Sequence, residues 1–354
     1  MLTPEQAKEQ AIAGSPKDKE RYMKSLYLPH RNQDRTISEV RTLMTAGAGL
    51  SVTLVVGPTG VGKTTFGRIQ LRNLLRHYKI QIQENPSVIP AVMCEVDPAG
   101  KGSEINFVLL YSRICSALLA PSALEGFGVP QEPNQPVELL RNSQLMFESA
   151  IQARQLQHLI LDEAVHFVHS ATDPVHYCDL LKSLSNRCYN LLMLGAYGCE
   201  ILAVSTGEMA RRVSVIHYER YKESKEDFLE YSTFVKSVAA ALPYRFEVDI
   251  ENRLEYMFEG TFGLPGETVD VLSKAAKRCA EERYPRWSDD FLLKAMPSKA
   301  AHRKIAESTV RGEHDIEPYL QMASEVDYVS EEDVRLKLRM EEQEKKKLNG
   351  RHAA

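Results

Sequence analysis

A phosphate-binding loop constrains this chain more than any other feature of its sequence. The pattern G-x-x-x-x-G-K-[ST] occupies residues 57–64, between a β-branched run at 52–56 and a stretch with helical spacing at 64–78. Gly57 and Gly62 permit tight turns, so that backbone N–H groups point at phosphate oxygens. The helix that follows adds the positive end of its dipole. We therefore expect a strand–loop–helix unit that binds the phosphates of a nucleotide.

Two side chains of this loop have predicted roles in binding ATP and Mg²⁺. Lys63 is expected to contact the β- and γ-phosphates, and Thr64 to offer its hydroxyl to Mg²⁺. The residues predicted to bind the nucleotide are Gly57, Pro58, Thr59, Gly60, Val61, Gly62, Lys63, Thr64, Thr65 and Asp162.

An acidic pair follows a second apolar run. Asp162 and Glu163 come directly after residues 158–161, a predicted buried strand. Open α/β sheets bind ligands at the carboxyl ends of their strands. Asp162 therefore fits the carboxylate on the Mg²⁺ side, and Glu163 fits the base that orients or polarises an attacking water. A Glu directly after the Asp favours hydrolysis of ATP by water and disfavours a kinase that phosphorylates a small molecule.

An arginine pair precedes the last predicted strand. Arg211 and Arg212 are either a solvated basic pair or an arginine finger that reaches the γ-phosphate held by a neighbouring subunit. The second role requires an oligomer. Neighbouring residues near a strand normally point in opposite directions, so one of the two would be the finger, and the sequence leaves open which.

The order of the predicted elements indicates an α/β fold. Strands that alternate with helices predict a parallel sheet covered on both faces. From Lys225 onward the predicted elements are helices, at 226–241, 267–282 and 289–296, which form a smaller α-helical domain. The predicted strands lie at 52–56, 89–96, 158–161, 191–194 and 213–218.

Composition narrows the class of protein. Hydrophobic residues make up 43% and charged residues 26% of the 354 residues, as in a soluble globular protein. No apolar run approaches the length of about 18 residues that suggests a membrane span, and the polar start lacks a signal pattern. We therefore expect a cytoplasmic protein without membrane contact. The net charge of −4 means that contact with nucleic acid must come from a local patch.

Several short segments resemble the transposition regulators of the TnsC/TniB type, a family within the AAA+ superfamily. The resemblance covers roughly residues 25–275, and two departures stand in it. Ala196 occupies the place of a threonine in the family's sensor-1 element, and Gly198-Cys199 is inserted before Glu200. The segments that carry the resemblance are residues 28–30, 158–166, 181–186, 194–202 and 207–212.

The resemblance implies a fold and a set of partners. The fold is an AAA+ P-loop domain, with a parallel five-stranded sheet between helices, followed by an α-helical lid. Such proteins bind ATP, form rings or filaments on double-stranded DNA, and link a target-selection protein to a transposase. The loop with Lys101, Gly102 and Ser103 lies where these relatives contact the DNA backbone. The implied parts are an N-terminal strap at 1–35, the ATPase core at 36–222, the lid at 223–310 and a charged tail at 311–354.

Two other functions remain open from the sequence. The chain is alternatively another DNA-associated AAA+ ATPase, such as a replication loader or an initiator-like protein. It is alternatively a nucleotide-gated scaffold with negligible turnover.

Overall fold

The computed structural model describes most of the chain. The described residues are 3–45, 51–97, 105–120, 135–168, 177, 178, 181, 184, 190–320, 330, 333–337 and 339–340. The chain divides into two compact units, Met1–Glu317 and Pro318–Ala354. Among the described residues, no helix combines the length and the apolar character needed to cross a bilayer.

A five-stranded parallel sheet forms the centre of the first unit, in the order β2-β3-β4-β1-β5. The sheet confirms the predicted fold class. Its strands are built from apolar and β-branched residues that suit burial between two layers of helices. The strands are β1 Ser51–Val56, β2 Ala91–Glu95, β3 His158–Asp162, β4 Asn190–Gly195 and β5 Val213–His217.

The register of the strands brings their carboxyl ends to one edge. Val56 pairs with Gly195 of β4 and with His217 of β5. Successive residues of β1 point to opposite faces, and Leu54 belongs to one core cluster while Val55 belongs to the other. Both faces of the sheet are therefore buried. The loops after β1, β3 and β4 leave the sheet at its carboxyl edge.

Helices and strands alternate through the first unit. Residues 177, 178, 181 and 184 are helical. The helices that accompany the sheet are α3 Arg31–Thr45, α4 Lys63–His77, α5 Lys79–Glu84, α6 Phe107–Ala117, α7 Gln135–Arg154 and the short α8 Ile201–Val204.

Before the sheet lie two helices that were not predicted from the sequence. They are α1 Pro4–Ala13 and α2 Pro16–Ser25. Each begins with a capping box and a proline in its first turn, on Thr3 and Ser15 respectively. The signals T-P-x-Q and S-P-x-D were present in the sequence, but the polar composition of residues 1–25 concealed them.

A group of helices follows the sheet and has its own core. This group, called the lid below, comprises α9 Lys225–Ala241, α10 Leu254–Gly260, α11 Pro265–Ala280 and α12 Asp289–Ala295. Its buried residues include Tyr231, Val235 and Leu272. The helices predicted at 226–241, 267–282 and 289–296 correspond to α9, α11 and α12, whereas α10 was not predicted.

One long helix, α13 Lys299–Leu320, comes after the lid. Residues 311–320, which the resemblance implies as the start of a charged tail, form its second half. Ile316 is fully buried and belongs to the main core cluster beside the sheet. The helix therefore returns from the lid to the sheet, and the implied boundary at residue 310 falls inside it.

Candidate nucleotide site

The phosphate loop has the geometry that its glycines allow. Gly60 and Gly62 have φ values of 84° and 105°, in the left-handed region that glycine adopts without a steric penalty. Gly62 caps α4, which starts at Lys63. A Cβ atom on Gly57 would lie 2.4 Å from the carbonyl oxygen of Tyr218, so this position accepts only glycine. The loop is therefore held in an open turn at the positive end of α4.

Lys63 folds over the loop that carries it. Its Nζ atom donates to the carbonyl oxygens of Gly57 and Pro58, at 2.9 Å each. Burial lowers the pKa of Lys63 to about 8, against the opposing effect of the charges on Glu163 and Asp162. The ammonium group therefore interacts electrostatically with the acidic pair.

The acidic pair lies at the end of β3, as predicted. Asp162 is the last residue of the strand and is 5% exposed. Its Oδ1 atom accepts the backbone N–H of Glu163 at 3.0 Å. Glu163 has φ 57° and ψ 40°, a left-handed conformation that is uncommon for a residue with a long side chain. Strained conformations of this kind concentrate at functional sites, and here the turn swings Glu163 out of the strand direction.

The donors at this edge fit a magnesium ion. Thr64 lies in the first turn of α4, and Asp162 offers a buried carboxylate at the end of β3, which β4 separates from β1. Hydroxyl and carboxylate oxygens are hard ligands of the kind that Mg²⁺ accepts beside phosphate oxygens. Thr65 follows in the same turn and is exposed.

The tip of β4 lies beside the loop and differs from the family element. Ala196 follows Gly195 and brings no hydroxyl. The next residue, Tyr197, forms a hydrogen bond of 2.8 Å between its hydroxyl and Nε2 of His217, the last residue of β5. Burial raises the pKa of Tyr197 far above its ordinary range, so the hydroxyl remains protonated. The tyrosine therefore ties the tip of β4 to the tip of β5.

The segment after β5 and the N-terminal strap form an aromatic cluster beside the loop. His30 is buried, with its Nε2 and Nδ1 atoms 3.3 Å from the hydroxyls of Tyr218 and Tyr221. Burial lowers the pKa of His30 to about 4, so this histidine is neutral at pH 7. The ring of Tyr218 also packs on Phe66 of α4, at 5.7 Å between centroids. Sequence reasoning named His30 only as part of the strap and did not predict this cluster.

The lid touches the phosphate loop directly. The backbone N–H of Gly266, in the first turn of α11, donates to the carbonyl oxygen of Gly60 at 2.7 Å. A Cβ atom on Gly266 would lie 2.5 Å from that same oxygen. Sequence reasoning missed this contact, because the pair is separated by about two hundred residues and only the Pro265-Gly266 start of a helix marks it.

The arginine pair lies at the opposite edge of the sheet. The carbonyl oxygen of Arg212 accepts the N–H of Val52, at the start of β1. Four residue steps of β1 separate Val52 from Val56, which corresponds to roughly 13 Å along the strand. The structure therefore does not bring Arg211 and Arg212 to the phosphate loop of their own chain.

The two arginines differ in their surroundings. Arg212 is half-buried and pairs with Glu208, at 3.3 Å between Nη2 and Oε1. Arg211 is exposed at the end of a 3-10 turn, and its Nε donates at 3.3 Å to the carbonyl oxygen of Gly207. Of the pair, Arg211 presents its side chain to solvent. The predicted DNA-contact residues Lys101, Gly102 and Ser103 lie outside the described residues.

Comparison with known proteins identifies the fold. No protein-family model matches the chain, and no curated protein sequence matches it. Among solved structures, the ORC1 protein of Aeropyrum pernix in complex with DNA is similar with a TM-score of 0.55 and 14% identity, over 81% of this chain and 68% of that one. The ORC2 protein of the same organism, in ADPNP and ADP complexes, is similar with a TM-score of 0.50 and 16% identity, over 76% and 68%. The chain therefore shares the α/β fold of these structures, with its parallel five-stranded sheet among helices.

Proposed function

We propose that the chain is an AAA+ ATPase that regulates DNA transposition. It would bind ATP with Mg²⁺, oligomerise on double-stranded DNA without reading its sequence, and link a target-selection protein to a transposase in the cytoplasm. One observation carries the ATPase part of this proposal. The phosphate loop, Asp162 and Glu163 meet at the carboxyl edge of one parallel sheet, where such folds bind nucleotides.

Each residue at this edge has a distinct task in hydrolysis. Lys63 holds the β- and γ-phosphates by charge, and the N–H groups of the loop surround their oxygens. Asp162 and Thr64 would hold Mg²⁺, which neutralises charge on the phosphate oxygens when it is bound. Glu163 accepts a hydrogen bond from the attacking water and orients it for in-line attack on the γ-phosphate.

The opposite edge supports an oligomer. Arg211 lies at the amino end of β5, one strand length from its own phosphate loop. A guanidinium group in that position can stabilise the charge that develops on a γ-phosphate only if the phosphate belongs to a neighbouring subunit. Arg211 suits the role of finger better than Arg212, because Arg212 is half-buried and paired with Glu208.

The transposition role rests on the local resemblance to the TnsC/TniB family. The strap, the segment around Asp162-Glu163 and the finger segment support it, and the described parts of these segments lie in one compact unit. Lys101 remains the proposed phosphate contact for DNA, because a lysine in a glycine-rich loop suits a backbone contact that ignores base sequence.

Two alternatives have observations in their favour. The absence of a hydroxyl at Ala196 favours a nucleotide-gated scaffold, because the tip of β4 then lacks a polar contact for the γ-phosphate. Similarity to an ORC1 protein whose structure contains DNA favours another DNA-associated ATPase.

Two measurements distinguish these functions. The purified chain is mixed with ATP or a non-hydrolysable analogue and several unrelated duplexes, and it is viewed by negative-stain microscopy. Nucleotide-dependent rings or filaments on every duplex are expected, and their absence would contradict the proposal. The rate of ATP turnover separates an ATPase from a scaffold. A DNA-stimulated strand-transfer reaction with a co-encoded transposase separates transposition from replication loading.

A further inference from the structure

Helix α13 connects the lid to the sheet across the mouth of the candidate nucleotide site. Near its start, Nε2 of His302 donates to the carbonyl oxygen of Glu259 in the lid, at 2.9 Å. Near its end, Ile316 is buried in the main core. Between these points the helix forms one wall of a cavity of about 370 Å³, and Pro58 and Thr59 of the phosphate loop line the same cavity.

The first contact of interest joins α13 to the tip of β4. Gly312 lies against Tyr197 so closely that a Cβ atom would come within 2.1 Å of the tyrosine ring. Tyr197 adjoins Ala196, the position where a hydroxyl is missing, and its own hydroxyl is bound to His217. The helix therefore packs against the tyrosine that joins the tips of β4 and β5.

The second contact joins α13 to the linker, residues 218–224, which runs from β5 to α9. Arg220 of the linker is 7% exposed, and its Nε and Nη2 atoms donate to the carboxylate of Glu313 at 2.9 and 3.3 Å. The guanidinium group also lies 4.0 Å from the ring centroid of Phe262, in the lid. A buried guanidinium without a partner is strongly unfavourable, so Glu313 fixes the place of Arg220.

The linker in turn contacts the phosphate loop. Tyr218, two residues before Arg220, donates its N–H to the carbonyl oxygen of Val56 at 2.7 Å, and its own carbonyl lies against Gly57. A displacement of Arg220 would therefore be transmitted to the base of the loop through Tyr218, which contacts Val56 and Gly57.

We infer that Gly312 and Glu313 of α13 are positioning residues for ATP turnover. Gly312 sets the tip of β4 through Tyr197, and Glu313 sets the linker through Arg220. Together they hold both flanks of the phosphate loop from a helix outside the sheet. Neither residue belongs to the phosphate loop at 57–64 or to the acidic pair. The inference rests on the proposed ATPase function.

The decisive variant is Glu313→Gln in the full chain. The glutamine keeps the size of the side chain but removes the charge that pairs with Arg220. We expect kcat to fall about tenfold, with a change in KM below about threefold, because a small misplacement of the reacting groups affects the chemical step more than binding. Glu317→Gln is the matched control, since Glu317 is exposed on the same helix. It should retain the kcat of the unchanged protein.

A second variant perturbs the other contact. Gly312→Ala places a methyl group against the ring of Tyr197. Alanine favours helix over glycine, so a fall in kcat cannot come from a loss of helix propensity. We expect kcat to fall by about tenfold here as well.

A double-mutant comparison tests whether Glu313 acts through Arg220. We expect Arg220→Met combined with Glu313→Leu to turn over ATP no more slowly than Arg220→Met alone, because both changes remove one interaction. Effects that multiply would place the action of Glu313 elsewhere and overturn the inference.

The outcomes separate this inference from the proposed function. An unchanged chain that binds ATP without turnover contradicts the proposed function and, with it, the inference, which rests on turnover. Turnover by the unchanged chain, equalled by both variants, overturns the inference alone. A fall in kcat that only parallels a loss of folded protein in thermal melts also overturns it.

Discussion

The two edges of the sheet differ in how the chain secures its charged groups. At the carboxyl edge, Lys63 and Asp162 are held by backbone atoms of the loops that carry them, and Glu163 is fixed by an unusual backbone conformation. At the amino edge, Arg211 is exposed, and its Nε donates to the carbonyl oxygen of Gly207. The carboxyl edge therefore brings Lys63, Asp162 and Glu163 together within one chain, whereas Arg211 at the amino edge is proposed to act on the site of a neighbouring subunit.

From this difference we expect that substitutions at one edge affect the site of the same subunit and that substitutions at the other edge affect the site of a neighbouring subunit. A substitution at the carboxyl edge should abolish activity at the site of the subunit that carries it, whatever its neighbours. A substitution at the amino edge should be compensated when a neighbouring subunit supplies the unchanged arginine.

The largest effect is expected for Lys63→Ala. The β- and γ-phosphates lose their cation, so ATP binding should be abolished in a fluorescence or calorimetric titration. Lys79→Ala, a change of the same kind at the exposed start of α5, should bind as the unchanged protein does. Affinity of Lys63→Ala within about threefold of the unchanged protein would contradict the site.

Arg211→Ala should reduce turnover by roughly 10³-fold, the lower end of the range for arginine fingers. Arg212→Ala is the matched control and should cost much less, because Arg212 already pairs with Glu208. Mixing the Arg211→Ala protein with the Lys63→Ala protein should restore part of the activity, since each spoils a different half of a shared site. No recovery at any ratio, with both proteins folded and co-assembling, would break the contrast between the edges.

Glu163→Gln should slow hydrolysis by roughly 10²-fold and leave ATP binding intact, as expected for the loss of a catalytic base. Under the proposed function, assemblies on DNA should then last longer, because the resemblance to the TnsC/TniB family implies that hydrolysis disassembles them. The comparison is with Glu84→Gln, which changes an exposed carboxylate in α5. If turnover by Glu163→Gln equals that of the control, Glu163 has no role in the chemistry.

ATP affinity should fall as pH rises above about 8. Burial places the pKa of Lys63 at about 8, below its ordinary value of 10.5, and the charged form is the one that binds phosphate. Above pH 8 the binding of ATP must take up a proton, so ATP affinity should fall by up to about tenfold per pH unit.

The same shift affects folding. Between pH 8 and 10.5 the unfolded chain holds more protons than the folded chain, so the stability of the nucleotide-free fold rises with pH over this range. Calorimetry of ATP binding in two buffers of different ionisation enthalpy measures the number of protons taken up. Equal ATP affinity at pH 7 and 9.5 would contradict the predicted pH dependence.

The smallest effect is expected for Lys101→Ala. Loss of one phosphate contact should weaken DNA binding by a few-fold on all duplexes alike and reduce its salt dependence, with ATP affinity unchanged. Binding is measured on unrelated duplexes at two salt concentrations. A mutant that matches the unchanged protein throughout would place the DNA path elsewhere, with the basic segment around Lys24 and Arg31 as the next candidate.

The sequence predicted the sheet and its acidic edge because their signals are local. A β-branched run before the loop, and an apolar run before Asp162-Glu163, each specify a strand without knowledge of the rest of the chain. Helix α13 was missed for the opposite reason. Its buried positions are Thr309, Gly312 and Ile316, of which one is strongly apolar, and what they pack against is distant in sequence.

The same reason explains what was missed within the candidate site. The role of Tyr197 depends on His217 and Gly312, and that of Arg220 on Glu313. Charge and aromatic character are visible in the sequence, but the pairing of side chains that lie 20 to 93 residues apart is not. The sequence could identify Ala196 as a departure from the family element, yet only the fold shows what lies beside it.

The bond from Gly266 to Gly60 has a consequence for how this protein can change over generations. Both atoms belong to the backbone, so almost every amino-acid replacement keeps the donor and the acceptor. Any replacement of Gly266 adds a Cβ atom 2.5 Å from the acceptor oxygen, and proline also removes the N–H. Most substitutions therefore leave this contact between the lid and the phosphate loop unchanged, and a single substitution of Gly266 removes it. A contact between side chains could instead be weakened or strengthened in small steps.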